Sequence, residues 1–284
     1  RPSSCQVSDS EQEMNYGAVE QFGASPAGPP PAMLAGGRYE VRLAQTDAEV
    51  EAALALRFRV FNLELGEGLE ASYTTGLDRD RFDATCEHLL AIDRFTGEVV
   101  GTYRLTTIEL AGSVSALYSF AEYALDRLPA DVLAAGVEIG RACIAPDHRN
   151  KQVLFLLWRA LIAYVVQNGK RFLFGCCSLN SQNPADGLEL FDQFGRRGNL
   201  HPEYCVPVQP AFACDLEPGT NDHAVSVKIP RLLNSYLGMG AKVCSPPALD
   251  REFKTIDFLV LFDVRQMHPR ARRLFGSVVE GRVL

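Results

Sequence analysis

No stretch of the chain approaches the ~18 uninterrupted apolar residues of a membrane-spanning helix, so none is expected. The basic-then-apolar layout of a secretory signal is missing too, and the expected setting is cytoplasmic. No G-x-G-x-x-G follows a predicted strand and no G-x-x-x-x-G-K-[ST] occurs, which argues against the usual phosphate-cradling loops. The eight cysteines (5, 86, 143, 176, 177, 205, 214 and 244) are scattered through a chain too long to need staples, so reduced thiols are expected. Positive charge is scarce: 28 Lys and Arg against 35 Asp and Glu leave −7. Duplex binding needs a concentrated positive surface, so no nucleic-acid partner is expected. His201, Cys205, Cys214 and His223 could together bind zinc, but H-x3-C-x8-C-x8-H matches no standard finger, and no metal site is expected.

What is present is ordinary globular composition, 47% hydrophobic and 22% charged over 284 residues, enough to bury a core. Residues 1–37 differ. From Gly23 to Gly37, twelve of fifteen residues are Gly, Pro or Ala, a composition that cannot offset its ordering entropy, so a flexible tail is expected. One domain is expected over 38–276, with a C-terminal tail at 277–284.

Thr46-Asp47-Ala48-Glu49 reads as a capping box opening a helix over 47–61. Residues 88–93 and 98–107 read as a hairpin around Phe95-Thr96-Gly97. A strand at 137–144 stops at Pro146, and a helix over 151–167 stops at Asn168-Gly169. The almost wholly apolar 172–177 suits a sheet centre. Helices at 184–194 and 230–237 and a strand at 257–264 follow. This order predicts an α/β (α+β) fold: a single mixed, mostly antiparallel sheet flanked by helices.

Several charges stand where a bland domain rarely puts them. Arg104 lies inside one predicted strand, and Glu138 and Arg141 inside another. Such charges are costly to bury unless paired. Asp80 and Asp83 come just before the hairpin, and Arg57 sits on the first helix. They form either a structural ion network or the polar floor of a cleft in which Glu138 accepts a proton.

An ordered series of motifs runs through the chain: Arg57-Phe58-Arg59-Val60-Phe61, Asp80-Arg81-Phe82-Asp83, His88-Leu89-Leu90-Ala91, Val100-Gly101-Thr102-Tyr103-Arg104-Leu105 and Glu138-Ile139-Gly140-Arg141. The series resembles acyl-homoserine-lactone synthases and N-acyl amino acid synthases, within the broad Gcn-five-related N-acetyltransferase (GNAT) fold. In the second half, Phe174-Gly175-Cys176-Cys177-Ser178, the segment from Pro230 to Ala241 and the segment from Asp250 to Asp257 resemble the haemolysin-like ornithine N-acyltransferases. The resemblance implies a GNAT-like fold and transfer of a long-chain, 3-hydroxy fatty acyl group from a thioester to the α-amine of an amino acid such as ornithine. It also implies Glu138 as general base, with Arg104, Arg141, Asp80 and Asp83 as its catalytic surround and Arg57 and His88 on the acceptor side. Two other readings stay open: a synthase of N-acyl amino acid or lactone signals, and a non-catalytic acyl-carrier-binding module.

The donor side is read from chemistry as well. Coenzyme A users of this superfamily carry a glycine-rich turn, whereas this chain has Arg149-Asn150-Lys151-Gln152-Val153-Leu154. Side chains there would crowd a diphosphate cradle. The single phosphate of a phosphopantetheine needs less, so acyl carrier protein is the expected partner, acyl-CoA the alternative co-substrate, and no resident cofactor is expected. Six basic residues and one acid between 141 and 171 make that segment +5, a sign that suits an acidic carrier. Cys143, Ile144, Arg149 and Lys151 are assigned to the donor, with amides around 142–144 facing the oxyanion. Cys176, Cys177 and Ser178 lack a nucleophile elbow and, like Trp158, read as core. Arg265, Arg270, Arg272 and Arg273 beside Leu274-Phe275 form either a solvated helix or a contact with an anionic membrane, placing the protein at the inner membrane surface.

Overall fold

The computed structural model describes residues 34–216 and 227–280. Most of the expected N-terminal tail, His223 and the last four residues of the expected C-terminal tail lie outside the described residues. Among the described residues, one sheet holds nine strands: β1 (Leu34–Gly36), β2 (Tyr39–Leu43), β3 (Glu87–Asp93), β4 (Val99–Thr106), β5 (Gly136–Ile144), β6 (Phe172–Leu179), β7 (Lys242–Val243), β8 (Ala248–Asp250) and β9 (Thr255–Asp263). Their order is β1-β2-β3-β4-β5-β6-β9-β7, with β8 also pairing β9. Only β5 and β6 run parallel. The helices are α1 (Asp47–Phe58), α2 (Ser72–Thr75), α3 (Ile108–Ala111), α4 (Ala130–Ala134), α5 (Lys151–Gln167), α6 (Pro184–Arg196), α7 (Arg231–Met239) and α8 (Pro269–Val279).

Thr46 caps α1 as its sequence predicts, accepting from the Glu49 amide at 3.3 Å. The helix does not stay regular to residue 61. It ends at Phe58 and widens into a π-helical turn, Arg59–Glu64, before the chain leaves for α2. The sheet also begins earlier than composition suggests. Leu34, Ala35 and Gly36 pair with Val41, Glu40 and Tyr39, because a neighbouring strand supplies the ladder that local propensity does not. At the other end α8 runs past residue 276 to Val279, with Val278 buried against the body.

Strand alternation divides the work of β4. Tyr103 and Leu105 turn to the side of α5, where Trp158 Nε1 donates to the Tyr103 hydroxyl at 3.2 Å and Val153, Leu157, Leu161 and Val165 are buried. Arg104 turns the other way, toward the ion pairs of Arg57 on α1. Two irregularities then build a cleft. Opposite Tyr103 the β4–β5 register shifts, and Arg141 takes a left-handed φ of 50°, as a bulge requires. That conformation costs a non-glycine residue about 1 kcal/mol and re-aims the Arg141 side chain. Meanwhile β5 and β6 pair only from Gly136↔Phe172 to Glu138↔Phe174. At the next position a Cβ on Gly175 would collide with the Ile139 carbonyl oxygen, so glycine is required where the two strands part.

Candidate active site

The gap between β5 and β6 opens into a cavity of about 850 Å³. One wall is apolar and includes Tyr103, Trp158, Leu161, Leu173, Val260 and Phe262. The opposing wall carries Glu138, Arg104, Arg141, Tyr118, Glu67 and Asp257. Exposed Arg149, Lys151 and Arg231 also line it and mark a cationic rim. An apolar volume with a few convergent polar groups is the usual form of a ligand site.

Behind the polar wall lies a network of three arginines and three aspartates. Arg57 is fully buried, its Nε 2.7 Å from Asp78 Oδ2 and its Nη1 2.7 Å from Asp83 Oδ1. Arg104 Nη1 reaches both Asp80 oxygens, at 2.6 and 2.7 Å, and Asp83 Oδ1 at 3.2 Å. Arg141 Nη2 meets Asp80 Oδ2 at 3.0 Å, and its guanidinium carbon lies 4.1 Å from the centre of the Phe253 ring. Burial pushes the Asp80 and Asp83 carboxyls up, but the surrounding guanidiniums outweigh it and hold both below the usual carboxylate range.

Glu138 is buried and, among the described residues, held by backbone amides alone. Its Oε2 accepts from the Tyr118 amide at 2.9 Å and its Oε1 from the Ser119 amide at 2.7 Å. The carboxylate thereby anchors the turn Tyr118–Phe120 to the point where β5 leaves β6. Each oxygen keeps a second lone pair for a proton donor.

The family model described as an acetyltransferase (GNAT) domain matches residues 56–159. Over 255 residues the chain is 32% identical to L-ornithine N(alpha)-acyltransferase of Brucella abortus, covering 85% of this chain and 90% of that one. It is 33% identical over 253 residues to L-ornithine N(alpha)-acyltransferase of Rhodobacter capsulatus, covering 86% and 97%. The chain belongs to the L-ornithine N(alpha)-acyltransferase family. It is an acyltransferase with a GNAT-like fold. Among solved structures, the acyl-homoserine-lactone synthase LasI aligns at a TM-score of 0.48 with 14% identity, covering 88% of this chain and 98% of that one.

In this family member the predicted site residues divide into two layers. Glu138, Arg104, Arg141, Cys143, Ile144, Arg149 and Lys151 line the cavity. Arg57, His88, Asp80 and Asp83 do not. Arg57 and His88, expected on the acceptor side, thus stand outside the cavity lining. Arg57 is consumed by two aspartates. His88 is buried with its Nε2 3.9 Å from Asp83 Oδ1; burial pushes its pKa down, and the Asp83 charge opposes that. Asp80 and Asp83 position the arginines from behind.

The +5 segment is corrected by acids from distant parts of the sequence. Arg141 pairs with Asp80, Arg149 with Glu64, Lys170 with Glu109 and Arg171 with Asp263, leaving Lys151 and Arg159 without an ion pair among the described residues. A segment count cannot see charges folded in from elsewhere. Trp158 is likewise more than core, since it is half-buried and lines the cavity. Cys176 and Cys177 line it too, but burial pushes both thiols well up, away from thiolate. Among the described residues His201, Cys205 and Cys214 form no metal-sized group; His201 stacks on Tyr204 instead.

Sequence reasoning passed over Glu67, Glu122 and Asp257. Burial and the Asp257 charge push the Glu67 carboxyl up to about 7. Burial pushes Asp257 up to about 6 and, with the charges of Asp257 and Asp250, drives Glu122 well above the usual range. One signal was visible: Asp257 is an acid directly before the apolar run Phe258 to Phe262 of β9. Glu67 and Glu122 gave none, because the loops that hold them carry no periodic pattern.

Proposed function

We propose that this acyltransferase joins a long-chain, 3-hydroxy fatty acyl group to the α-amine of ornithine, taking it from acyl carrier protein and releasing a lyso-aminolipid precursor. The observation that carries this reading is the cavity, apolar on one wall and charged on the other, with a cationic rim. The relatives' name supplies the acceptor, and the apolar wall suits an acyl chain. The rim supports the carrier: exposed Lys151 and Arg231, with Arg149, offer positive charge to an acidic protein. The Arg149–Glu64 pair is partly exposed, a class worth little, so Arg149 is free to exchange Glu64 for a phosphate.

The acceptor carboxylate binds Arg104 and Arg141. Arg104 Nε and Nη2 make no hydrogen bond among the described residues, so they are available to it. Glu138, directly or through water, takes one proton from the α-ammonium. The neutral nitrogen attacks the thioester carbonyl, and amides around Ala142 to Ile144 stabilise the oxyanion. Collapse breaks the C–S bond; the nitrogen loses its second proton and the thiolate leaves as thiol. Amide, carrier thiol and one proton are the products.

Contact with the inner membrane surface is part of this proposal. On α8, Arg270, Arg272 and Arg273 are exposed beside Leu274, while Ala271, Phe275 and Val278 are buried, which suits contact with an anionic bilayer that takes up the product. Among the described residues no helix is long and apolar enough to cross a membrane. Mass spectrometry of lipids from cells expressing the chain tests the reading. A new N-acyl ornithine is expected; an unchanged lipid profile contradicts it.

A further inference from the structure

Beside Ser119, whose amide holds Glu138, lies a group of acids with no arginine or lysine at salt-bridge distance among the described residues. Glu122, Cys176 and Asp257 bring one ligand atom each to within 4.8 Å of one another. Cys176 Sγ is 3.6 Å from Glu122 Oε2 and 3.5 Å from Ser119 Oγ, and the Ser119 amide holds Glu138. The group is therefore contiguous with the candidate base. Asp78, Asp80 and Asp83 each have an arginine at salt-bridge distance. Among the described residues, Glu67, Glu122 and Asp257 have no lysine or arginine at that distance.

Asp257 points to a ligand independently. It lines the cavity, is 2% exposed, and its Oδ1 receives no hydrogen bond. Buried carboxylates without cations are costly, and apolar residues would fill the same space more stably. A cation entering the cavity removes that cost.

We propose that Asp257, backed by Glu122, receives the side-chain ammonium of a dibasic amino acid acceptor. This rests on the reading that the chain acylates an amino acid. The site then reads its acceptor at both ends. Arg104 and Arg141 take the carboxylate; both guanidinium carbons lie near the Tyr118 ring, at 5.5 and 5.2 Å from its centre. The hydroxyl of the same tyrosine is 3.4 Å from Asp250 Oδ2, on the acidic side. Tyr118 thus stands between the two charge sets, and the α-amine falls on the Glu138 side. The same ligand atoms could instead hold a divalent metal, an occupant that the experiment below distinguishes from an ammonium.

The test compares kcat/KM of the full chain for ornithine and for 2-aminopentanoate, the same carbon chain without the terminal amine. Wild type is expected to favour ornithine by roughly 10- to 100-fold, the range of a hydrogen-bonded charge. Asp257→Asn and Glu122→Gln should each pull that ratio toward one, whereas a merely structural role would lower both substrates together. A wild-type ratio near one, which needs no variant to fold, overturns the subsite, as does a ratio unchanged in both variants. Stoichiometric bound metal, with activity lost on chelation and restored by zinc or magnesium, also overturns it in favour of a metal. Failure of wild type to acylate either amino acid defeats the underlying acylation reading, a different result from equal use of both.

Discussion

Arg104 grips Asp80 with one nitrogen only: Nη1 lies 2.6 Å from Oδ1 and 2.7 Å from Oδ2. The rest of the guanidinium is left for the cavity it lines. Asp80 thus acts as a positioning residue. Asp80→Asn should raise KM for the amino acid more than it lowers kcat, because the arginines lose their anchor while Glu138 stays in place. Steady-state kinetics with the acceptor varied reads this; a pure kcat effect would count against it.

Arg57 is where the network is least tolerant. Arg57→Met removes the shortest ion pairs of Asp78 and Asp83 and leaves them only the longer contacts to Arg141 at 3.4 Å and Arg104 at 3.2 Å. Breaking a buried pair from one side costs about 3–5 kcal/mol, so the urea midpoint should fall sharply. A midpoint near wild type would show that the network adds little to the fold.

The parting of β5 and β6 depends on Gly175. Gly175→Ala drives a Cβ into the Ile139 carbonyl and should cost more than about 1 kcal/mol as well as activity. Gly140→Ala, where nothing lies within 4 Å of the added carbon, is the matched control. Equal melting temperatures for the two variants would contradict the geometry.

The two carboxylate groups predict opposite pH responses. Burial raises Asp257 to about 6, and burial with the Asp257 charge raises Glu67 to about 7. Asp250, Glu122 and Arg141 also act on these groups. Both carboxyls ionise between about pH 5 and 8, so kcat/KM for ornithine should rise through that window. Their stability contribution has the reverse sign: a raised folded-state pKa contributes fully below the unfolded value of about 4 and is lost as pH rises through 6 to 7. Asp80 and Asp83, held low, contribute fully above about pH 4 and lose it as pH falls. Urea titrations across pH 3–8 check both limbs.

The fold was legible wherever a segment carries its own pattern. The Thr46 cap, the Phe95-Thr96-Gly97 turn and the apolar face of α5 all announce themselves locally. Short β1, β7 and β8 did not, since each is stabilised by its neighbour in the sheet. In the site, Arg104, Glu138 and Arg141 showed as charges inside strands. What the sequence hid was layering. Arg57 and Arg141 look alike along the chain, yet only the bulge turns Arg141 into the cavity. Acids on loops, such as Glu67 and Glu122, acquire meaning only through what surrounds them.

The proposed reaction forms an amide at the α-nitrogen of ornithine. Purified protein incubated with a long-chain acyl carrier protein and ornithine, followed by tandem mass spectrometry of the product, tests it most directly. One acyl group on the α-nitrogen is expected, with Glu138→Gln forming none while still binding the donor. Acylation at the side-chain nitrogen, or full turnover by Glu138→Gln, would contradict it.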